Sequence, residues 1–164
     1  MTEQARQRWK TVGLIGGWSI AALFALAAHL RYVEGITGAI FSDSEPLGWY
    51  RTVSGSVQRD EMVQLRQLLK HVAGVPGDIV AVTPAGSIIN GKLWPHSAVP
   101  AQSDYKPYAY GTYKLAPGQY WLLGSNPWSY DSRLIGPIPQ DLISGPVKPL
   151  WTHSNGYAPG TRPW

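Results

Sequence analysis

Charged and apolar positions divide the chain near residue 31. Residues 11–30 contain no Asp, Glu, Lys or Arg, whereas Arg6, Arg8 and Lys10 precede them and Arg31 and Glu34 follow. About 20 apolar residues in a helix cross the hydrocarbon core of a bilayer, and excess basic charge on the leading side keeps that side in the cytoplasm. The pattern predicts a transmembrane anchor in a lipid bilayer, with the rest of the chain on its far side. Ala25-Leu26-Ala27 has the small-x-small form of a cleavage site, which leaves a cleaved signal peptide as the alternative. The expected organisation is an N-terminus and anchor over 1–31, a folded domain over 32–150, and a Pro-, Gly- and aromatic-rich tail over 151–164.

Beyond the anchor, the apolar runs are short and bounded by turn residues. Ser42, Asp43, Ser44, Pro46 and Gly48 form a polar turn set between apolar flanks over 39–51. Residues 60–72 fit either a helix (Met62, Leu65, Leu69, Val72) or two short strands, and periodicity alone does not decide between them. Pro76-Gly77-Asp78 marks a turn before the strand Ile79-Val80-Ala81-Val82, which Pro84 ends. Asn90-Gly91 predicts a tight hairpin turn between strands at 88–89 and 92–94. Residues 95–111 show no period and read as surface loop, and Tyr120-Trp121-Leu122-Leu123 reads as a buried strand.

Composition agrees with a mainly β domain. There are 18 Gly and 14 Pro among 164 residues, with only 15% charged, so turns outnumber long amphipathic helices. The absence of Cys excludes disulfides, thiolate metal sites and a cysteine nucleophile. A net charge of +4 spread without basic runs gives no nucleic-acid surface. His29, His71, His96 and His153 lack metal-ligand spacing, and all four are expected to be structural or solvated. No cofactor is expected.

One residue has a context that suggests chemistry. Lys70 lies in the apolar frame Leu68-Leu69-Lys70-His71-Val72-Ala73, whereas Lys92, Lys106, Lys114 and Lys148 lie beside turns or prolines and look solvated. At its reference pKa about one lysine in a few thousand is neutral at pH 7, but desolvation worth roughly 3 units makes a quarter or more of it neutral. A neutral lysine can take the proton of a serine hydroxyl. His71 adjoins Lys70, but neighbours on a strand face opposite ways, which argues against a Ser-His-Asp triad with Asp131.

Three segments together resemble a known family. Ser42-Asp43-Ser44-Glu45-Pro46-Leu47-Gly48-Trp49-Tyr50 resembles the nucleophile box of signal peptidase I, in the Ser-x-Pro-x-Gly-x-Tyr version of the TraF-type conjugative-transfer peptidases. Lys70 to Asp78 resembles the lysine box, Lys-x-x-x-x-x-Pro-Gly-Asp, and Asn90-Gly91-Lys92 matches a minor hairpin motif. Gly124-Ser125-Asn126, Ser129-Tyr130-Asp131-Ser132-Arg133 and Gly136-Pro137 resemble the C-terminal box.

The resemblance implies a signal peptidase-like antiparallel β domain without the inserted subdomain of larger members. It implies that Ser44 is the nucleophile, Lys70 the general base, Ser42 an oxyanion donor and Ser129 the residue that positions the lysine. Asp131 and Arg133 would form a supporting ion pair, for which a bidentate contact would suit. The implied activity is endopeptidase cleavage of an exported precursor after small residues, outside the bacterial inner membrane. A conjugative pilin is the implied substrate, released linear or closed into a ring. A catalytically idle envelope protein that binds a pilin or secretion-channel component is the alternative. The chain departs from the housekeeping pattern at three places: Glu45 replaces Met, Ser125 replaces Asp, and Asp60-Glu61 replaces a Gly-Asp pair before a strand expected to be distorted.

Overall fold

The computed structural model describes residues 16–29, 36–40 (backbone only), 45, 46, 48–66 and 68–152. Helix α1 occupies residues 16–29, and all of its residues are exposed. No helix among the described residues is long and apolar enough to cross a membrane, so the described helix does not support the spanning helix read over 11–30. Residues 11–15 and 30 lie outside the described set.

The second unit begins at Thr37 and consists mainly of antiparallel β structure. Its strands are β1 (Ile36–Ile40, which begins one residue before the unit), β2 (Gly48–Thr52), β3 (Met62–Leu65), β4 (Leu68–Gly74), β5 (Ile79–Thr83), β6 (Gly86–Ile89), β7 (Lys92–Leu93), β8 (Gly111–Lys114), β9 (Gln119–Leu123), β10 (Ile138–Pro139) and β11 (Ile143–Thr152). A short helix, α2 (Ser132–Ile135), lies between β9 and β10. One sheet has the order β1-β2-β11-β3-β4-β9-β10, and the other has the order β7-β6-β5-β8.

Residues 60–72 resolve as strand. Met62 pairs with His71, Val63 with Lys70, Gln64 with Leu69 and Leu65 with Leu68, an unbroken register across a hairpin. The chain turns there because Arg66 takes a φ of 56°. The strand after Asp60-Glu61 is therefore regular, contrary to expectation. Asp60 itself has a φ of 64°, and Asp is among the few side chains that tolerate the left-handed region. The Asn90-Gly91 turn forms as read, with φ of 49° and 84°, the two positive values a type I′ hairpin needs. The segment from Trp151 starts inside β11, where Trp151 pairs with Trp49, and residues 153–164 lie outside the described set.

The core follows from strand alternation. On β9, Trp121 and Leu123 enter a cluster with Ala73, Val80, Val82, Ile89 and Leu115, joining the two sheets. Tyr120 and Leu122 point the other way, into a cluster with Val63, Leu65, Val72 and Ile138. Both faces of β9 are covered, which is why its sequence reads as a continuous apolar run. The turn after β4 is tied to the Asn90 hairpin by one carboxylate: Asp78 accepts from the Val75 N–H (2.7 Å), Asn90 Nδ2 (2.9 Å) and Arg59 Nη2 (2.6 Å).

Gly136 ends α2 at φ 78°, ψ −155°, a region open essentially to glycine. A Cβ there would meet the Tyr108 ring at 2.5 Å. Gly136→Ala is expected to cost about 1–3 kcal/mol from the backbone alone, with the clash in addition, as read by urea unfolding. In a Tyr108→Ala background, where the ring is gone, Gly136→Ala should still cost the backbone amount relative to Tyr108→Ala alone; no cost there would mean that the backbone conformation carries no strain.

Candidate active site

Lys70 sits in the middle of β4 and has no exposed surface. Its Nζ donates to Ser129 Oγ at 2.8 Å. Burial lowers the amine's pKa below the ordinary lysine value; nearby Asp131 and Glu45 oppose the shift, and Arg133 reinforces it. Lys92, Lys106, Lys114 and Lys148 are exposed.

Ser129 belongs to the loop between β9 and α2, and buried polar groups fix that loop at both ends. Asp131 caps α2 by accepting the Arg133 N–H (3.1 Å), while its other oxygen accepts the Gly124 N–H (2.7 Å). Arg133 Nε meets Asp131 at 2.8 Å. The guanidinium donates onward to the carbonyls of Gly124 (2.9 Å), Pro127 (2.7 Å) and His96 (3.1 Å). The pair is thus monodentate rather than bidentate, because Nη1 and Nη2 are spent on backbone carbonyls. Ser132 Oγ accepts the Leu122 N–H at 2.8 Å, stitching the start of α2 to β9. Ser129, Asp131, Ser132 and Arg133 are all buried.

Ser44 and Ser42 lie outside the described residues. The residue after Ser44 does not: Glu45 is buried, with a side chain 1% exposed. Its Oε1 accepts the Ser125 N–H (3.0 Å), and its Oε2 accepts Ser125 Oγ (2.9 Å) and faces His71 Nε2 (3.1 Å). The carbonyl of Pro46 accepts the Tyr50 hydroxyl at 2.6 Å. Burial, with Glu45 nearby, pushes the Tyr50 phenol up to about 12. The Glu45 carboxylate raises the His71 imidazole above its usual value, outweighing burial. His71 thus pairs with Glu45 and makes no triad with Asp131. Sequence reading missed this Glu45–Ser125–His71 cluster; its signal was two departures from the family's pattern, Glu45 and Ser125, which here are each other's partners. His29 and His96 are exposed, and no group of acidic or imidazole side chains among the described residues could hold a metal ion.

The arrangement combines a desolvated amine, a hydroxyl that orients it and a carboxylate-guanidinium pair that fixes the hydroxyl's loop. Such an amine gives up its proton more readily than a solvated lysine, which is the property a lysine base requires.

A family model described as "Signal peptidase, peptidase S26" matches residues 44–151, more than half of the chain. The plasmid transfer protein TraF of Escherichia coli is 32% identical over 140 residues, covering 82% of this chain and 75% of that protein. A probable signal peptidase I-2 of Synechocystis is 35% identical over 78 residues, covering 47% of this chain and 34% of the relative. Signal peptidase I of Leptolyngbya laminosa is 33% identical over 85 residues, covering 51% and 40%. The chain therefore spans well under half the length of both signal peptidase relatives. A crystal structure of a signal peptidase I from Enterococcus faecalis V583 superposes with a TM-score of 0.40 at 22% identity, covering 57% of this chain and 98% of that one, a likeness too loose to carry an argument.

The depressed Lys70 pKa has a consequence for stability. An unfolded lysine binds its proton up to about pH 10.4, whereas the folded one releases it earlier, so between the two values folding expels a proton and stability rises with pH. The contribution is complete above the unfolded pKa and is lost as pH falls through the folded one. Lys70→Met, which removes the desolvated amine, is expected to raise unfolding free energy at neutral pH by about 1 kcal/mol or more. The difference from wild type should shrink towards pH 10. A difference constant with pH would mean that Lys70 titrates normally.

Proposed function

Starting from the chain's membership of the signal peptidase family, peptidase S26, we propose that it is a serine endopeptidase working through Ser44 and Lys70. The observation that carries this reading is the Lys70 amine, fully buried, with a lowered pKa and held by Ser129 at 2.8 Å.

In the proposed reaction Ser44 Oγ attacks the scissile carbonyl as its proton passes to neutral Lys70. The Ser42 hydroxyl and the Ser44 N–H stabilise the oxyanion. Collapse breaks the C–N bond, and Lys70 returns its proton to the leaving amine, leaving an acyl ester on Ser44. Water then attacks the ester, Lys70 takes its proton, and the proton goes back to Ser44 Oγ as the acid is released. Ser129 positions the lysine, while Asp131 and Arg133 brace Ser129's loop without touching the reacting atoms.

The substrate in this reading is an exported precursor cleaved after small residues. Similarity to a plasmid transfer protein supports a conjugative pilin as that precursor. If an amine of the acyl chain replaces water in the second step, the product is a ring. The reading includes an anchor over residues 11–30 and a site on the outer side of the bacterial inner membrane. Its support is the uncharged stretch behind Arg6, Arg8 and Lys10.

The test is co-expression of wild type, Ser44→Ala and Lys70→Ala with candidate pilin precursors, following precursor mass. Wild type should shorten the precursor, and each variant should lose roughly a thousand-fold or more in rate while staying folded. A product lighter by one water than the linear fragment would identify ring closure. Equal behaviour of all three proteins on every precursor would sink the enzyme reading and favour a binding role.

A further inference from the structure

We propose that Glu45 is a positioning residue whose carboxylate, clamped between Ser125 and His71, fixes the nucleophile's backbone against the lysine. The inference rests on the Ser44/Lys70 reading above and adds a residue that the reading does not use.

Each member of the clamp lies close in sequence to a member of the proposed machinery. Glu45 follows Ser44, and consecutive Cα atoms are 3.8 Å apart, so whatever holds Glu45 restrains Ser44 through one rigid peptide. His71 follows Lys70 on β4. Ser125 adjoins Gly124, whose N–H and carbonyl are held by Asp131 and Arg133, and it begins the loop that carries Ser129. The carboxylate thus joins three otherwise separate segments: the nucleophile turn, the lysine strand and the serine loop. None is near another in sequence; Glu45 and Ser125 are 80 positions apart.

The chemistry of the cluster suits a clamp better than a catalyst. Both Glu45 oxygens already accept hydrogen bonds, two from Ser125 and one contact from His71, and the side chain is almost wholly buried. Three of the roughly four lone-pair sites of the carboxylate are thus taken, and its burial leaves it little surface for a substrate. Burying it is tolerated because His71, itself only 30% exposed, faces it at 3.1 Å. The charged groups around His71 are Glu45 and Asp60, which favour its protonated form, and Lys70, which opposes it. The next residue is held as well, since Pro46 receives the buried Tyr50 hydroxyl. Two successive residues after the nucleophile are therefore pinned by side chains from the body of the domain.

Positional restraint matters because a nucleophile displaced by about 1 Å loses on the order of a hundred-fold in rate. Removing a charged hydrogen-bond acceptor from a buried site costs an amount equivalent to about 10- to 100-fold.

The experiment uses the full chain and N-acetyl-alanyl-alanine p-nitrophenyl ester, whose activated leaving group reports attack by the serine. Glu45→Gln keeps the shape and loses the charge. It is expected to slow the nitrophenolate burst about 10- to 100-fold per folded molecule, with the half-saturating ester concentration changed by less than about two-fold. His71→Gln should fall between Glu45→Gln and wild type, and Ser125→Ala, which keeps the backbone N–H, should lose a few-fold. In parallel, NMR titration should find the His71 imidazole above the ordinary range in wild type and lower in Glu45→Gln.

A Glu45→Gln protein that melts earlier yet bursts at the wild-type rate per folded molecule overturns positioning in favour of a structural role. An unchanged His71 titration overturns the clamp itself. A wild-type burst no larger than that of Ser44→Ala removes the Ser/Lys reading, and with it any nucleophile to position. If Glu45→Gln does not fold, the burst rates of Ser125→Ala and His71→Gln decide instead: slowed bursts support positioning, and wild-type bursts overturn it.

Discussion

A lysine amine without exposed surface sets the terms for the groups packed around it. Burial lowers the pKa of Lys70, but an unopposed carboxylate within a few ångströms would raise it again by forming an ion pair. Asp131 and Glu45 are both near enough to have this effect. Each has its own partner: the Arg133 guanidinium meets Asp131 at 2.8 Å, and the His71 imidazole, whose protonated form Glu45 favours, faces Glu45 at 3.1 Å. Charge pairing around the site thus leaves desolvation as the dominant influence on the lysine. Arg133 has an electrostatic part in this as well as a mechanical one, since its charge lowers the Lys70 pKa while its fork holds three carbonyls.

The same pairs explain how a loop rich in polar side chains can be buried. Residues 124–133 include Ser125, Asn126, Ser129, Asp131, Ser132 and Arg133, a composition that would ordinarily lie in water. Among the described residues, every buried side-chain polar atom has a hydrogen-bond partner, so the desolvation cost of the loop is offset bond by bond. A network of this kind is stiff, because moving any member leaves another unsatisfied. Ser129 inherits that stiffness, and the direction of the Lys70 amine follows from it. The hydrophobic clusters either side of β9 supply the frame, and the polar loop supplies the fine placement.

The sequence was informative wherever the physics is local. Asn90-Gly91 specified a hairpin because its two positive φ values need such residues, and Tyr120 to Leu123 specified a buried strand because both faces of β9 are covered. The solvated reading of Lys92, Lys106, Lys114 and Lys148 held for the same reason: turns and prolines keep backbone near water. The ambiguity at 60–72 was real, since Met62, Leu65, Leu69 and Val72 fit a helix by spacing. What decides it is pairing with β9 and β11, strands far away in sequence. β11 itself was not foreseen, because Gly145, Pro146 and Pro149 within it are poor strand formers and the strand tolerates them through shifts in register.

The departures from the family's pattern show a different limit. Asp60 where glycine is usual suggested a distorted strand, yet Asp can adopt the left-handed φ that the turn needs, so the strand that follows stays regular. Glu45 brings a carboxylate where Met is usual, yet the side chain is buried against Ser125, the other changed position. Taken one at a time, each change is a loss: a charge placed in an apolar setting, and an acid removed from a polar loop. Taken together they move a carboxylate across one contact and leave the hydrogen bonding of the site satisfied. In the sequence the two changes stand 80 positions apart, and no period or spacing connects them. They become one event only when the fold brings β4, Glu45 and the loop after β9 together, and the imidazole of His71 then explains why the carboxylate can remain there.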